Sequence, residues 1–162
     1  MQNTTLCYLE KDGAYLMLHR CRKKEDINAG KWVGIGGHFE EGESPYDCVI
    51  REVFEETGLV LGAARYRGII TFVTDRGESE QMHLFTSDVF YGEQVSCDEG
   101  DAEWVDRERV ALLPLWEGDL IFFRLLRENR PFFSLKLVYQ GDRLASAVLD
   151  GEPLSGVGEG RP

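Results

Sequence analysis

The apolar positions of this chain fall into short runs of aliphatic and aromatic residues that are separated by turn residues. Residues 6–9 and 14–19 are the first two runs, and Asp12-Gly13 between them suits a tight hairpin turn. A run at 31–39 is interrupted by glycines, which predicts a short strand whose end comes close to something bulky. Later runs predict further strands at residues 63–74, 81–91, 103–105, 132–140 and 144–149. The pattern therefore predicts a sheet.

Two segments carry helical signals instead. The first is residues 45–57, with Ser44 as N-cap, Pro45 at the first helical position and Gly58 suited to a left-handed C-terminal cap. The second is the amphipathic segment 117–129. A helical wheel of the first predicts one core-facing side, formed by Tyr46, Val49, Ile50, Val53 and Phe54.

Length and composition predict one compact domain. The chain has 162 residues, of which 43% are hydrophobic, and we expect one domain over residues 1–150 followed by a flexible glycine-rich tail at 151–162. No apolar stretch is long enough to span a membrane, and the first nine residues lack the features of a secretory signal. The sequence thus predicts a cytoplasmic protein, monomeric or homodimeric.

The charge balance bears on possible partners. With 18 basic and 29 acidic residues, the formal net charge of −11 repels nucleic acid and anionic membranes over most of the surface. We therefore expect neither a polynucleotide nor a membrane partner. An acidic protein can still act on an anionic substrate when a divalent cation mediates between them.

One side of the first predicted helix is acidic. Glu52, Glu55 and Glu56 follow the i, i+3, i+4 spacing and share one patch. Such a side is usually only solvated surface, but like charges at this spacing cost a helix about 0.2–0.5 kcal/mol per pair unless a cation lies among them. Oxygen ligands with open positions suit Mg²⁺, with Mn²⁺ as a possible substitute.

A longer pattern includes these glutamates. Gly37, Glu43 and residues 51–59 match G-x5-E-x7-R-E-U-x-E-E-x-G-U at every position, where U is aliphatic. A random window would match with a probability on the order of 10⁻⁹. The segment resembles the Nudix box. This resemblance implies an α/β fold of the Nudix type, an α/β/α sandwich with a mixed sheet, and metal-dependent hydrolysis of a nucleoside diphosphate linked to another group.

The resemblance also implies roles for the box residues. Glu52, Glu55 and Glu56 bind metal, the backbone carbonyl of Gly37 adds a ligand, and Glu43 and Arg51 brace the site. The general base is Glu56 or Glu52, and the sequence leaves this choice open.

Within the family, the layout resembles the 8-oxo-dGTP diphosphatases, which are MutT-like oxidised purine nucleoside triphosphatases. The similarity runs through Gly30-Lys31-Trp32, the box, Glu99-Gly100-Asp101 with Glu103-Trp104, and Leu115-Trp116-Glu117-Gly118-Asp119. It implies that Trp116 stacks on the base, that Asp119 bonds the base edge, and that Glu99 assists metal binding. The alternative for Trp116 is an ordinary core aromatic.

Two positions depart from that subfamily. Its base-binding asparagine falls at Val33, and the first of its two adjacent aspartates falls at Gly118. Since the Val33 side chain forms no hydrogen bond, we expect only modest selection for oxidised guanine.

The resemblance implies a Mg²⁺-dependent pyrophosphohydrolase of 8-oxo-dGTP or related purine nucleoside triphosphates that yields the monophosphate and pyrophosphate. The alternative is a Nudix hydrolase of another diphosphate, such as ADP-ribose or a nucleotide sugar. A non-catalytic nucleotide-binding regulator is disfavoured, because that role does not require all three glutamates. Lys23 and Lys24, in the basic segment that begins at Arg20, extend the phosphate site or belong to a solvated loop.

Overall fold

The computed structural model describes residues 1–20, 27–95 and 101–158. Two α-helices occur in this part of the chain, α1 (Pro45–Thr57) and α2 (Asp119–Arg127), together with a short 3-10 helix at Val110–Leu112. The strands found there are β1 (Gln2–Lys11), β2 (Ala14–His19), β3 (Trp32–Val33), β4 (Val60–Val73), β5 (Glu80–Tyr91), β6 (Asp101–Asp106), β7 (Phe133–Gln140), β8 (Arg143–Leu149) and β9 (Glu152–Pro153).

The strands form one mixed sheet. Its order is β3-β2-β1-β5-β4-β7-β8-β9, and β6 pairs with β2. The β1–β5 and β4–β7 pairs are parallel, whereas β4–β5 and β7–β8 are antiparallel. The hairpin between β1 and β2 turns through Asp12 and Gly13, which both have positive φ, as a two-residue hairpin turn favours.

Alternation along the strands divides the core between the two faces of the sheet. On β1, Tyr8 packs in the cluster that contains α2, while its neighbours Cys7 and Leu9 pack in the cluster that contains α1. A strand directs successive side chains to opposite faces, so this alternation places one helix on each face. The predicted α/β/α sandwich with a mixed sheet is confirmed.

Helix α1 has the predicted ends, but its buried side differs from the wheel. Ser44 and Asp47 form a capping box, and Gly58 ends the helix at φ 79°. Of the five residues predicted to face the core, Tyr46, Ile50 and Phe54 are exposed. The wheel was wrong because the helix turns its acidic side partly inward, and its buried residues are Cys48, Val49, Val53, Glu56 and Thr57.

Other elements differ in length from the prediction. The run at 31–39 forms only the two-residue strand β3, followed by isolated bridges from Ile35 to Cys7 and from His38 to Thr4. In the segment predicted as a tail, β9 pairs with β8, and Leu154 and Val157 pack against the apolar core.

Within the described ranges, no helix has the length and apolar character needed to cross a membrane. Cys7 and Cys48 are buried free thiols.

Candidate active site

The acidic side of α1 is organised around the guanidinium group of Arg51. It donates to both carboxylate oxygens of Glu43, from Nε to Oε2 at 2.7 Å and from Nη2 to Oε1 at 2.9 Å. Its Nη1 donates to Glu52 Oε1 at 2.8 Å and to Glu55 Oε2 at 3.0 Å. One cation thus holds three carboxylates, and its hydrogen bonds lower the pKa of Glu43 from 4.5 to about 2.

Glycines allow the helix to approach the chain before it. Glu56 is only 5% exposed, and its Oε2 accepts a hydrogen bond of 3.0 Å from the Gly36 backbone N–H. A Cβ at Gly37 would lie 2.6 Å from Cδ of Glu52, and one at Gly36 would lie 1.9 Å from the Thr5 carbonyl oxygen. The predicted close approach at the end of this segment is therefore confirmed, and the bulky neighbours are β1 and the Glu52 carboxylate.

The donor set suits a hard divalent cation. Among the described side chains, no three His, Cys, Asp or Glu residues converge closely enough to hold a metal, and Glu55, 54% exposed, bonds Arg51. Mg²⁺ does not need three, because it keeps several waters and shares itself with substrate phosphates. The oxygens of Glu52 and Glu56, set close to a glycine that leaves them room, fit such an ion. Glu99 lies outside the described residues.

A single cavity connects these carboxylates with the predicted base site. It has a volume of about 660 Å³. Its lining residues include Glu52, Glu56 and Gly37 as well as Val33, Trp116 and Asp119. We call the first group the carboxylate part of the lining and the second group the base part. Six of the nine predicted site residues that the structure describes therefore line one pocket, whereas Glu55, Arg51 and Glu43 are not among its lining residues. Lys23 and Lys24 lie outside the described residues.

Trp116 is both a core residue and a wall of the cavity. It is 4% exposed, and its indole Nε1 donates to Oδ1 of Asn28 at 2.7 Å. Phe72 and Tyr139 meet the ring in edge-to-face contacts with centroid distances of 5.0 and 4.9 Å. The Lys31 ammonium lies 4.4 Å from the ring centroid, close enough for a cation–π interaction. The ring is therefore held firmly at the pocket.

Asp119 is the first residue of α2 and is 7% exposed. Burial raises the pKa of its carboxyl group well above the usual value, and the Lys31 charge and a hydrogen bond from the Trp116 backbone offset only part of the rise. A carboxyl group that keeps its proton can donate a hydrogen bond as well as accept one.

Several lining residues were missed by the sequence analysis. Tyr8 on β1, Phe72 on β4 and Met82 on β5 contribute to the cavity, and Asn28 fixes Trp116. Each occupies an ordinary strand or loop position in the sequence, so no local signal distinguishes it.

Comparison with known proteins identifies the family. The NUDIX domain model matches residues 2–126, and the chain belongs to the Nudix family of hydrolases. It is similar to an uncharacterized Nudix hydrolase of Bacillus subtilis, with 37% identity over 124 residues that cover 74% of this chain and 75% of the relative.

The more particular resemblance is to MutT-like members of the family. An oxidized purine nucleoside triphosphate hydrolase of Danio rerio is 34% identical over 112 residues, covering 68% of this chain and 71% of that protein. The crystal structure of a MutT protein from Bacillus halodurans superposes with a TM-score of 0.81 at 30% identity, covering 94% of this chain and 100% of the other. The resemblance to MutT-like Nudix hydrolases is confirmed.

Proposed function

We propose that this protein is a Mg²⁺-dependent pyrophosphohydrolase of purine nucleoside triphosphates, including 8-oxo-dGTP, and that Mn²⁺ can replace Mg²⁺. Its products are the nucleoside monophosphate and pyrophosphate. The observation that carries the proposal is that one cavity is lined both by Glu52 and Glu56 and by Trp116 and Asp119. A nucleotide carries the two matching groups, because it has phosphates and a base on one sugar.

In this proposal Glu52, Glu55 and Glu56, together with the Gly37 carbonyl, would hold the metal. The bound cation neutralises charge that develops on the phosphates and makes water more acidic. Glu56 or Glu52 accepts the proton of the attacking water. Arg51 and Glu43 keep the carboxylates in place. The water oxygen bonds to the α- or the β-phosphorus as that phosphorus loses its bond to the bridging oxygen, and the monophosphate and pyrophosphate separate.

Trp116 and Asp119 bind the base in the same proposal. Trp116 provides an aromatic wall, and Asp119 provides a buried carboxyl group that can form a hydrogen bond with a purine edge. Val33 supplies no hydrogen bond from its side chain, so we expect only modest preference for 8-oxo-dGTP over dGTP.

A substrate panel with Mg²⁺ tests the proposal. It includes dGTP, 8-oxo-dGTP, dATP, dCTP, ADP-ribose and a nucleotide sugar, each with and without excess chelator. We expect chelator-sensitive hydrolysis of the purine triphosphates, with pyrophosphate as the first phosphate product. Mass analysis after reaction in ¹⁸O-labelled water shows which product carries the new oxygen. Release of orthophosphate first would contradict the proposed cleavage, and faster hydrolysis of ADP-ribose or the nucleotide sugar would favour the alternative substrate class.

A further inference from the structure

Tyr8 carries a buried hydroxyl group whose hydrogen bonding is incomplete. The residue has no exposed surface, and among the described residues its hydroxyl makes no hydrogen bond of normal geometry. The Gly34 backbone N–H approaches the oxygen and partly offsets the rise in its pKa, but the hydroxyl proton has no acceptor in this part of the chain. Buried polar groups nearly always have partners, so this exception requires an explanation.

The hydroxyl cannot turn away to find a partner elsewhere. The Tyr8 ring packs edge-to-face on Phe123 at a centroid distance of 4.9 Å, and Phe122 and Tyr15 lie at 5.8 and 5.6 Å. The Gly34 backbone covers the ring so closely that a Cβ there would lie 2.9 Å from Cζ of Tyr8. An acceptor therefore has to come to the hydroxyl.

The place from which an acceptor can come is the cavity. Tyr8 lines it together with Val33, Trp116 and Asp119. Asp119 is near enough that its charge adds to the burial effect in raising the Tyr8 pKa. Val33 has no polar atom in its side chain, and the indole N–H of Trp116 is already bonded to Asn28. Of these four lining residues, Tyr8 and Asp119 therefore carry the side-chain groups left to bond a ligand.

We propose that Tyr8 is a specificity-determining residue whose hydroxyl donates a hydrogen bond to an acceptor on the edge of the bound base. This inference rests on the proposed function, because it takes a purine nucleotide as the substrate. A guanine edge presents the acceptors O6 and N7, whereas cytosine presents its N4 amino donor at the corresponding position. A guanine nucleotide completes the bonding of Tyr8, and a base without a suitable acceptor leaves the hydroxyl unpaired.

The test removes only the hydroxyl. In Tyr8→Phe, we expect kcat/KM for dGTP to fall about 10- to 100-fold, mainly through KM, while kcat/KM for dCTP changes by less than about threefold. We expect the Tm of the free protein to be unchanged or higher, because the deleted hydroxyl has no partner in the free pocket.

Two matched variants serve as controls. Tyr139 lies in the same core cluster, but its hydroxyl accepts a 2.8 Å hydrogen bond from the Gly118 N–H, so Tyr139→Phe is expected to lower Tm. The Tyr15 ring contacts that of Tyr8, but Tyr15 does not line the nucleotide cavity, so Tyr15→Phe is expected to leave the ratio of dGTP to dCTP activity unchanged.

Two results with Tyr8→Phe overturn the inference. One is equal change for dGTP and dCTP, including no change for either. The other is a fall in Tm as large as that of Tyr139→Phe, which would show that the hydroxyl is already satisfied inside the free protein. If the wild type hydrolyses dGTP, either result rejects the role of Tyr8 but leaves the proposed function standing. A wild type that hydrolyses no nucleotide in the panel would reject the proposed function, and the inference with it.

Discussion

The two parts of the cavity are built in different ways. The carboxylate part comes almost entirely from residues 37–58, and ion pairs of 2.7 to 3.0 Å from Arg51 organise it. The base part comes from β1, β3, β4 and the start of α2, and aromatic packing and burial hold it. One part is thus local in sequence and electrostatic, while the other is distant in sequence and apolar. They should respond to different perturbations, because charge networks are sensitive to protonation whereas packed walls are sensitive to side-chain volume.

The carboxylate part should show the largest effect on catalysis. We expect Glu56→Gln and Glu52→Gln each to lower kcat by roughly 10² or more, as loss of a general base or a metal ligand commonly does. Steady-state kinetics with saturating Mg²⁺ measure it. Glu128→Gln, an exposed substitution at the C-cap of α2, is the control and should retain full activity. Full activity of both active-site variants, or of the wild type in excess chelator, would contradict the assignment.

Truncation of Trp116 probes the packed part. We expect Trp116→Ala to raise KM roughly tenfold with a smaller change in kcat, since a stacked base contributes about 1 to 3 kcal/mol. Because the ring is 4% exposed, the same variant should lose about 3 to 5 kcal/mol of unfolding free energy. Denaturant unfolding measures the loss of stability, and steady-state kinetics measure the change in KM, so the two effects can be separated. Trp116→Phe keeps an aromatic wall but loses the bond to Asn28, and a KM as high as that of the alanine variant would argue against stacking.

Asp119 tests whether the base part recognises a purine. We expect Asp119→Asn to lower kcat/KM for purine triphosphates by about 10- to 10²-fold and for dCTP by less. The pKa of Asp119 is raised in the folded protein, so the folded state keeps a proton that the unfolded chain releases. The free energy of unfolding therefore falls as pH rises from 3.8 toward the raised pKa. The asparagine variant lacks this titration. The Tm of Asp119→Asn relative to that of the wild type should therefore increase with pH. Equal losses of kcat/KM for purine and pyrimidine substrates would mean that the nucleotide base binds elsewhere.

The carboxylate part of the cavity was easier to predict from the sequence than the base part. The ends of α1 were predictable, because capping residues lie within one turn of the helix that they begin or end. The bracing role of Glu43 and Arg51 came from the resemblance to the Nudix box. The buried side of α1 was not, since periodicity does not indicate how a helix is rotated against a sheet that distant segments build. The bond between Trp116 and Asn28 joins residues 88 positions apart. Tyr8 is an ordinary strand residue in the sequence, and only folding makes it part of the cavity lining.

The smallest expected effect concerns stability at the carboxylate part. Hydrogen bonds from Arg51 lower the pKa of Glu43 from 4.5 to about 2 in the folded protein. For a depressed carboxyl pKa, the stabilisation is complete above the unfolded value and is lost as pH falls through the folded one. Glu43→Gln should therefore reduce Tm modestly at pH 7, and the difference from wild type should shrink between pH 4.5 and pH 2. Calorimetry across this range measures it, and Glu41→Gln, exposed and outside the Arg51 contacts, sets the background. A Tm difference that stays constant down to pH 2 would mean that the carboxylate is not what Arg51 stabilises, and that Glu43 acts through packing as the residues at the base part do.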